Sequence, residues 1–441
     1  MNEQTMYTVA IMLPGITGSL LVSQGDSFDD ITNPVWQAQA YNALNNNPTD
    51  QQALTLMEGN LFAGTPSVTP GFQAYAQFAS YFKGLGFQTV NAATPQTSLP
   101  LPSPPGNNWG LPQSLTQNLL ISFAYDWRKD NLNSSATYLQ NLLATIDYLY
   151  GQNDYQVFLI GHSMGGLVAR AYLEKLGNPV GKPADKWYGK IKGLITLGTP
   201  HLGAPLAVDA ISGSLDKLLG FIKLVHPDIN IPNNFGHLAQ DLVNSQYCQS
   251  AYELLPPPSS VSPATNQTQF IKAIGSSYNI FDLSSDGSGK NIYQWLTGKG
   301  MSSTNWQTAK NFLTGLNYTG AVQASQSALP DYYCVYGSGC TVNKMPVTCI
   351  SLVWDTLSLT DMVGDGDLIV PIWSAQFSGR KVAGLLDAPG VDHLQLPGDT
   401  TYVLPQVAQW MGLSSSQSDS DVNSVSHSDS HEIDKDELVL I

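Results

Sequence analysis

A serine, a histidine and a pair of aspartates carry the chemistry that can be read in this chain. Ser163 lies in Gly161-His162-Ser163-Met164-Gly165, between the apolar run Gln156-Val157-Phe158-Leu159-Ile160 and a helix-forming run from Leu167 to Leu173. A strand that turns sharply into a helix holds the serine hydroxyl clear of the sheet edge and aims the next backbone N–H at a bound carbonyl oxygen. Gly161 and Gly165 lack the Cβ atoms that would obstruct the strained elbow and the close approach of helix to strand. A serine nucleophile needs a base, and the sequence has seven histidines. His162 adjoins the serine and is expected to point away from it. His427 and His431 sit in a polar tail, and His201, His226 and His237 precede the last expected strands. His393, in Val391-Asp392-His393-Leu394 after the final expected strand, remains as the base.

The chain order Ser, acid, His places the third member in Gly364-Asp365-Gly366-Asp367-Leu368-Ile369-Val370-Pro371, with Asp367 preferred and Asp365 second. Its carboxylate would bond the far imidazole nitrogen, fix the tautomer that accepts the serine proton and stabilise the imidazolium that forms. A calcium loop that includes Asp361 competes for these acids, but the run lacks the bidentate Glu at the twelfth loop position. A solvated turn is the plainest alternative. His427 and His431 form an i, i+4 pair without further ligands, so no metal is expected, nor any cofactor. Two N–H donors must meet the developing oxyanion. Met164 follows the nucleophile, and Ile16 lies in the loop after the first strand, with Pro14 fixing the entry to that loop.

These groups need a sheet to hold them. Tyr7 to Leu13, Asn118 to Tyr125, Gln156 to Ile160 and Ile191 to Leu197 are apolar runs of strand length. The spacing of Tyr75, Phe78, Ala79 and Phe82 predicts a helix over 72–82. Leu139, Leu142, Leu143, Ile146, Leu149 and Tyr150 predict another over 134–150, capped by Asn133. Strands alternating with helices indicate an α/β fold with a mostly parallel sheet and helices on both faces. After residue 205 the alternation dissolves into mixed helix and loop. Sheet-like segments return at Val347 to Trp354, Leu368 to Trp373 and Arg380 to Leu386, and an amphipathic run occupies Thr401 to Trp410. The expected organisation is a core over 1–205, a cap or lid insertion over 206–342, the remainder of the core over 343–412, and a disordered acidic, serine-rich tail over 413–441. The proline-rich stretch 94–112 reads as a loop near the rim of the site.

Composition narrows the partners. The 441 residues include 42% hydrophobic and only 12% charged side chains, with a net charge of -15. That balance excludes nucleic acid, which demands a basic face, and disfavours anionic membranes, while transient contact of the cap with a neutral lipid surface stays open. No run approaches the ~20 uncharged apolar residues of a membrane span, and no signal peptide is visible, so the reading is a soluble protein, with a cytoplasmic place favoured over a leader already removed and the compartment left open. Cys334, Cys340 and Cys349 cluster while Cys248 stands apart. Three pairings are open, with Cys334–Cys340 favoured, against buried free thiols.

Taken together, Leu13-Pro14-Gly15 with Gly18-Ser19, Tyr125-Asp126-Trp127-Arg128, Gly161 to Gly165, Leu197-Gly198-Thr199-Pro200 with Gly203, Glu253-Leu254-Leu255-Pro256, and Gly364 to Pro371 followed by His393 resemble the lecithin:cholesterol acyltransferase-like α/β-hydrolases. That family also includes phospholipases and phospholipid:diacylglycerol acyltransferases. The resemblance implies an α/β-hydrolase fold, the triad Ser163, Asp367 and His393, oxyanion donors Ile16 and Met164, and a lid over a lipid-accepting groove. It also makes Trp36, on residue type a local packing anchor, a candidate for acyl-chain contact. The expected activity is hydrolysis of lipid or other carboxylic esters, with acyl transfer to a lipid hydroxyl as the alternative and a catalytically silent lipid-binding protein as the second. One departure stands out: the family's acid motif reads Gly-Asp-Gly-Asp-Gly-Thr-Val, and here Leu368 and Ile369 replace the last Gly and Thr.

Overall fold

Strands buried on both faces read as unbroken apolar runs, and such runs build the centre of this protein. A computed structural model describes residues 6–23, 34–36, 38–46, 49–66, 73–93, 95, 106–213, 231–257, 271–273, 276–278, 296–322, 326–342, 345–346, 350–355, 358–363 and 365–413. The tail beyond 413, Cys349, His226, Gly364 and much of the expected cap and proline-rich loop lie outside the described residues.

Seven strands form one sheet in the order Gly384–Pro389, Asp331–Ser338, Ile191–Leu197, Tyr155–His162, Tyr7–Leu13, Leu119–Phe123, Gln88–Ala92, with every neighbouring pair parallel. The chain starts in the middle, fills one edge and then crosses to the other, so the strand order reverses between Tyr7–Leu13 and Tyr155–His162. Ligands of open α/β sheets bind at such a switch point, beyond the carboxyl ends of the strands. Here Leu13 pairs with Gly161 at those ends, which sets the first loop beside the serine elbow.

Alternation along the strands divides the interior. Val9, Ile11 and Leu13 face a core closed by Leu139, Leu142, Leu143 and Ile146 of the helix Thr137–Tyr150 and by Leu167 and Val168 of the helix Met164–Ala171. Ala10 and Met12 face a second core closed by Phe78 and Phe82 of the helix Gln73–Gly84 and by Val403, Leu404 and Val407 of the helix Val403–Trp410. Helices thus cover both faces.

Four local expectations change. The strand Asp331–Ser338 lies within the 206–342 span yet is the sixth strand of the main sheet in chain order, hydrogen-bonded between Ile191–Leu197 and Gly384–Pro389. Ile350–Asp355 is a strand, but it pairs with Ser358–Val363 and Ile271–Ala273 in a separate four-stranded sheet. Leu368 to Trp373 is no strand: Asp367 N–H turns back to the Val370 carbonyl, and a short helix Ile372–Ala375 begins after Pro371. The helix Thr137–Tyr150 is preceded by a wide turn, Asn131–Ala136, whose free N–H groups at Leu132 and Asn133 are met by the Asp130 carboxylate at 2.7 and 2.8 Å, so Asp130 caps it rather than Asn133. Among the described residues no helix is long and apolar enough to cross a membrane.

Candidate active site

The elbow has the strain its sequence implies. Ser163 stands at φ 53° and ψ -127°, a backbone conformation that side-chain-bearing residues seldom adopt and that costs of order 1–3 kcal/mol. It persists because the surroundings fix it. Ser163 N–H donates to the Leu197 carbonyl at 2.9 Å, and Gly166 N–H returns to the Ser163 carbonyl at 3.1 Å. A Cβ at Gly165 would come within 2.2 Å of the Leu13 carbonyl oxygen, so only glycine lets the helix close on the first strand.

Asp367 and His393 are brought together. His393 Nδ1 donates to Asp367 Oδ2 at 2.7 Å, and His393 N–H donates to the Asp367 carbonyl at 2.9 Å. The other carboxylate oxygen accepts N–H from Ile369 at 3.1 Å and Val370 at 2.7 Å. Both residues are buried. Their floor is Gly198 at φ 60°, where a Cβ would lie 2.8 Å from Asp367 Oδ2 and 3.0 Å from His393 Nδ1. Gly198 directly follows Leu197, the acceptor of Ser163 N–H, so the pair sits next to the elbow. Among the described residues Ser163 Oγ and His393 Nε2 have no hydrogen-bond partner, each other included. Such bonds are commonly long in unliganded sites and tighten around substrate. Asp365, the second choice for the acid, is exposed and accepts Gly339 N–H at 2.9 Å, closing a loop instead of facing a histidine.

The loop Pro14 to Gly18 is held from several sides. Tyr125 O–H donates to the Pro14 carbonyl at 2.7 Å, Gly18 N–H donates to the Gly15 carbonyl at 3.1 Å, and Trp127 Nε1 donates to the Ser19 carbonyl at 3.2 Å. This gives Tyr125-Asp126-Trp127-Arg128 a physical task. Its aromatic donors clamp the first loop, while the buried Arg128 forks onto Asp126 at 2.9 and 2.7 Å and reaches the carbonyls of Met57 and Gly59. Ile16 N–H and Met164 N–H take no protein acceptor among the described residues, which leaves two backbone donors beside the serine.

Trp36 is 2% exposed. Its indole N–H donates to the Thr17 carbonyl at 3.0 Å, and its ring meets Trp127, Tyr41 and Phe235 at centroid distances of 5.3, 5.5 and 6.0 Å. It backs the first loop from behind.

The remaining histidines separate cleanly. His201 is buried flat on Phe377 and bonded to Thr196 Oγ1 at 3.0 Å, and His237 is exposed on the helix Phe235–Asn244. His162 is the residue whose part the sequence reading missed. It points away from the serine as expected, but it bonds Tyr75 O–H at 2.7 Å and the His393 carbonyl at 2.9 Å. Burial, and then the neighbouring His393, hold its imidazole well below the usual range, so it is neutral. Its place in the elbow motif was a signal; its partner 87 residues away was not. Cys334 and Cys340 are buried free thiols, as is Cys248, which corrects the favoured Cys334–Cys340 bridge. Cys334 lies within a core strand with its sulfur 3.7 Å from His201 Nε2, and the Cys340 sulfur lies 3.9 Å from the Ser338 carbonyl.

Comparison with known proteins agrees with this architecture. Residues 109–222 match the family model of lecithin:cholesterol acyltransferase. Among solved structures, that of the Tle4–Tli4 complex superposes with a TM-score of 0.50 at 13% identity, over 93% of this chain and 98% of that one. The lin2722 product of Listeria innocua gives 0.34 at 10% identity over 92% and 94%. Bacillus licheniformis lipase BlEst2 gives 0.31 at 11% identity over 93% of both chains. Among curated proteins none matches the sequence. The parallel sheet and the strained serine elbow at its switch point give this chain an α/β-hydrolase fold, and its residues 109–222, which span that elbow, are similar to the lecithin:cholesterol acyltransferase family.

Proposed function

We propose that the protein is a serine ester hydrolase acting on lipid esters. The observation that carries this reading is the buried Asp367–His393 pair near a serine at positive φ, the residue that Met164 follows and that Gly15 approaches. In the proposed reaction Ser163 Oγ attacks the ester carbonyl while His393 Nε2 takes its proton. Asp367 orients the ring and stabilises the imidazolium, and Ile16 N–H and Met164 N–H receive the oxyanion. Collapse of the tetrahedral intermediate breaks the C–O bond, the imidazolium protonates the departing alcohol, and an acyl-enzyme remains. Water, activated by the same histidine, then releases the acid. The residues within 206–342 that lie outside the sheet would gate access to Ser163. Trp36, enclosed by aromatic neighbours, is read as a brace of the oxyanion loop rather than a group that touches the acyl chain.

Transfer to a lipid hydroxyl is the second reading, favoured by the family match over 109–222. It differs only in whether water or an alcohol resolves the acyl-enzyme. Incubation with phosphatidylcholine vesicles and with p-nitrophenyl esters of graded chain length, with and without a long-chain alcohol, separates the two. Free fatty acid as the main product in both conditions supports the hydrolase, and a new ester that grows with the alcohol supports the transferase. No turnover of any ester removes both and leaves a silent lipid-binding protein on the same fold.

A further inference from the structure

The two loops that the proposed reaction needs in register, Pro14 to Gly18 and the turn at His393, are joined by a continuous line of hydrogen bonds that passes behind Ser163. Gly15 N–H donates to the Tyr75 hydroxyl oxygen at 2.9 Å, Tyr75 O–H meets His162 Nδ1 at 2.7 Å, and His162 Nε2 meets the His393 carbonyl at 2.9 Å. Every proton on this line can be assigned. A carbonyl only accepts, so His162 Nε2 carries the hydrogen. Nδ1 of the neutral ring is then bare and accepts from Tyr75 O–H, whose oxygen in turn accepts from Gly15 N–H.

The line is also confined. Tyr75 and His162 are both buried. A Cβ on Gly18 would lie 2.9 Å from the Tyr75 hydroxyl, and one on Gly15 would lie 2.8 Å from Ser163 Cβ and 3.4 Å from His162 Nδ1. Gly15 therefore touches the nucleophile and the relay at once. The next residue along, Ile16, supplies the proposed oxyanion donor, and the far end of the line is the backbone of the proposed base.

We propose that Tyr75 and His162 are positioning residues that lock the oxyanion loop and the base loop into one register across Ser163, an inference that rests on the serine-hydrolase reading above. Neither touches substrate. Displacing either loop by about 1 Å is enough to cost ~10²-fold in rate, and a neutral, doubly bonded imidazole resists that displacement from both sides.

The test compares wild type with Tyr75→Phe, His162→Gln, His162→Asn and the Tyr75→Phe/His162→Gln double variant on a medium-chain p-nitrophenyl ester. Rates are taken per active site titrated with a fluorophosphonate, and thermal midpoints are measured alongside. Tyr75→Phe removes the hydroxyl, His162→Gln keeps a donor near Nε2 but not the Tyr75 contact, and His162→Asn does the reverse. Each single variant should lower kcat by about 10–100-fold with KM changed by less than about threefold. The double variant should be no slower than the worse of its two singles, because both cut the same link. Wild-type kcat per titrated site in Tyr75→Phe, with only the thermal midpoint lowered, would reduce the line to a structural feature and overturn the proposal. So would losses that multiply in the double variant. Should Tyr75→Phe fail to fold, the two His162 variants decide by the same criterion. A wild-type protein that neither labels nor turns over overturns the underlying hydrolase reading, and the relay with it, and is distinguishable from an active wild type with unaffected variants.

Discussion

His393 is tied to Asp367 twice, once by its ring and once by its backbone: Nδ1 donates to Oδ2 at 2.7 Å and N–H donates to the carbonyl at 2.9 Å. The ring is thereby fixed in one tautomer, with Nε2 turned out as the free nitrogen. Asp365, two residues earlier, spends its carboxylate on Gly339 N–H instead.

The two aspartates should therefore separate in kinetics. Asp367→Asn is expected to lower kcat by about 10³–10⁴-fold with little change in KM, because an amide nitrogen facing Nδ1 favours the wrong tautomer. Asp365→Asn should leave kcat within about twofold and cost at most ~1 kcal/mol of stability, the scale of one exposed hydrogen bond. Equal rate losses in both variants would break the assignment.

Leu368 stands at φ 77°, in the left-handed region, directly after Asp367. The turn that glycine would favour is kept here with a leucine, at a cost of roughly 1–2 kcal/mol. Leu368→Gly relieves that strain but adds about 0.4–1 kcal/mol of unfolded-state entropy. It should leave the unfolding free energy unchanged or raised by up to ~1.6 kcal/mol, with kcat unaltered. Leu368→Val, β-branched in a left-handed position, should lower it by ~1 kcal/mol or more. Urea melts of the three proteins make the comparison. A Val variant as stable as wild type would contradict the turn geometry.

Glu253 is buried, accepts Asn131 N–H through Oε2 at 2.9 Å, and has no hydrogen-bond partner for Oε1 among the described residues. Burial, and then the charge of Asp130, push its carboxyl well above the ordinary value of 4.5. The folded chain therefore holds this proton where the unfolded chain releases it, and stability falls as pH rises from the ordinary value toward the folded one, by up to about 1.4 kcal/mol per pH unit. Glu253→Gln keeps an acceptor for Asn131 and removes the titration. Thermal midpoints of wild type should decline relative to the variant as pH rises above the ordinary carboxyl value. Parallel curves would mean that Glu253 is not held neutral.

The sheet's centre was legible because strands such as Tyr7–Leu13, Tyr155–His162 and Ile191–Leu197 are buried on both faces and leave contiguous apolar runs. The strand-turn-helix geometry at Ser163 was legible from the apolar and helix-forming runs on either side of it, and the pairing of His393 with Asp367 from their order after the elbow. The strand Asp331–Ser338 was not: its sequence opens on an exposed aspartate and ends on Gly-Ser, and three of the residues between are tyrosines, whose hydroxyls make the run less plainly apolar than the aliphatic strands beside it. Within the apolar run Val347 to Trp354, the described strand Ile350–Asp355 pairs in a separate sheet, because partner choice is settled by distant segments. The same limit applies to Tyr75. Its place in an aromatic helical stripe predicted burial correctly, yet a hydroxyl that meets His162 across 87 residues has no local signature.

Fluorophosphonate labelling followed by peptide mass spectrometry tests the central claim most directly. The account predicts one adduct, on Ser163, in wild type, none in Ser163→Ala, and a fall in ester turnover of about 10⁶-fold in that variant. A Ser163→Ala protein that still labels at another serine, or that hydrolyses the ester at an undiminished rate, would contradict it.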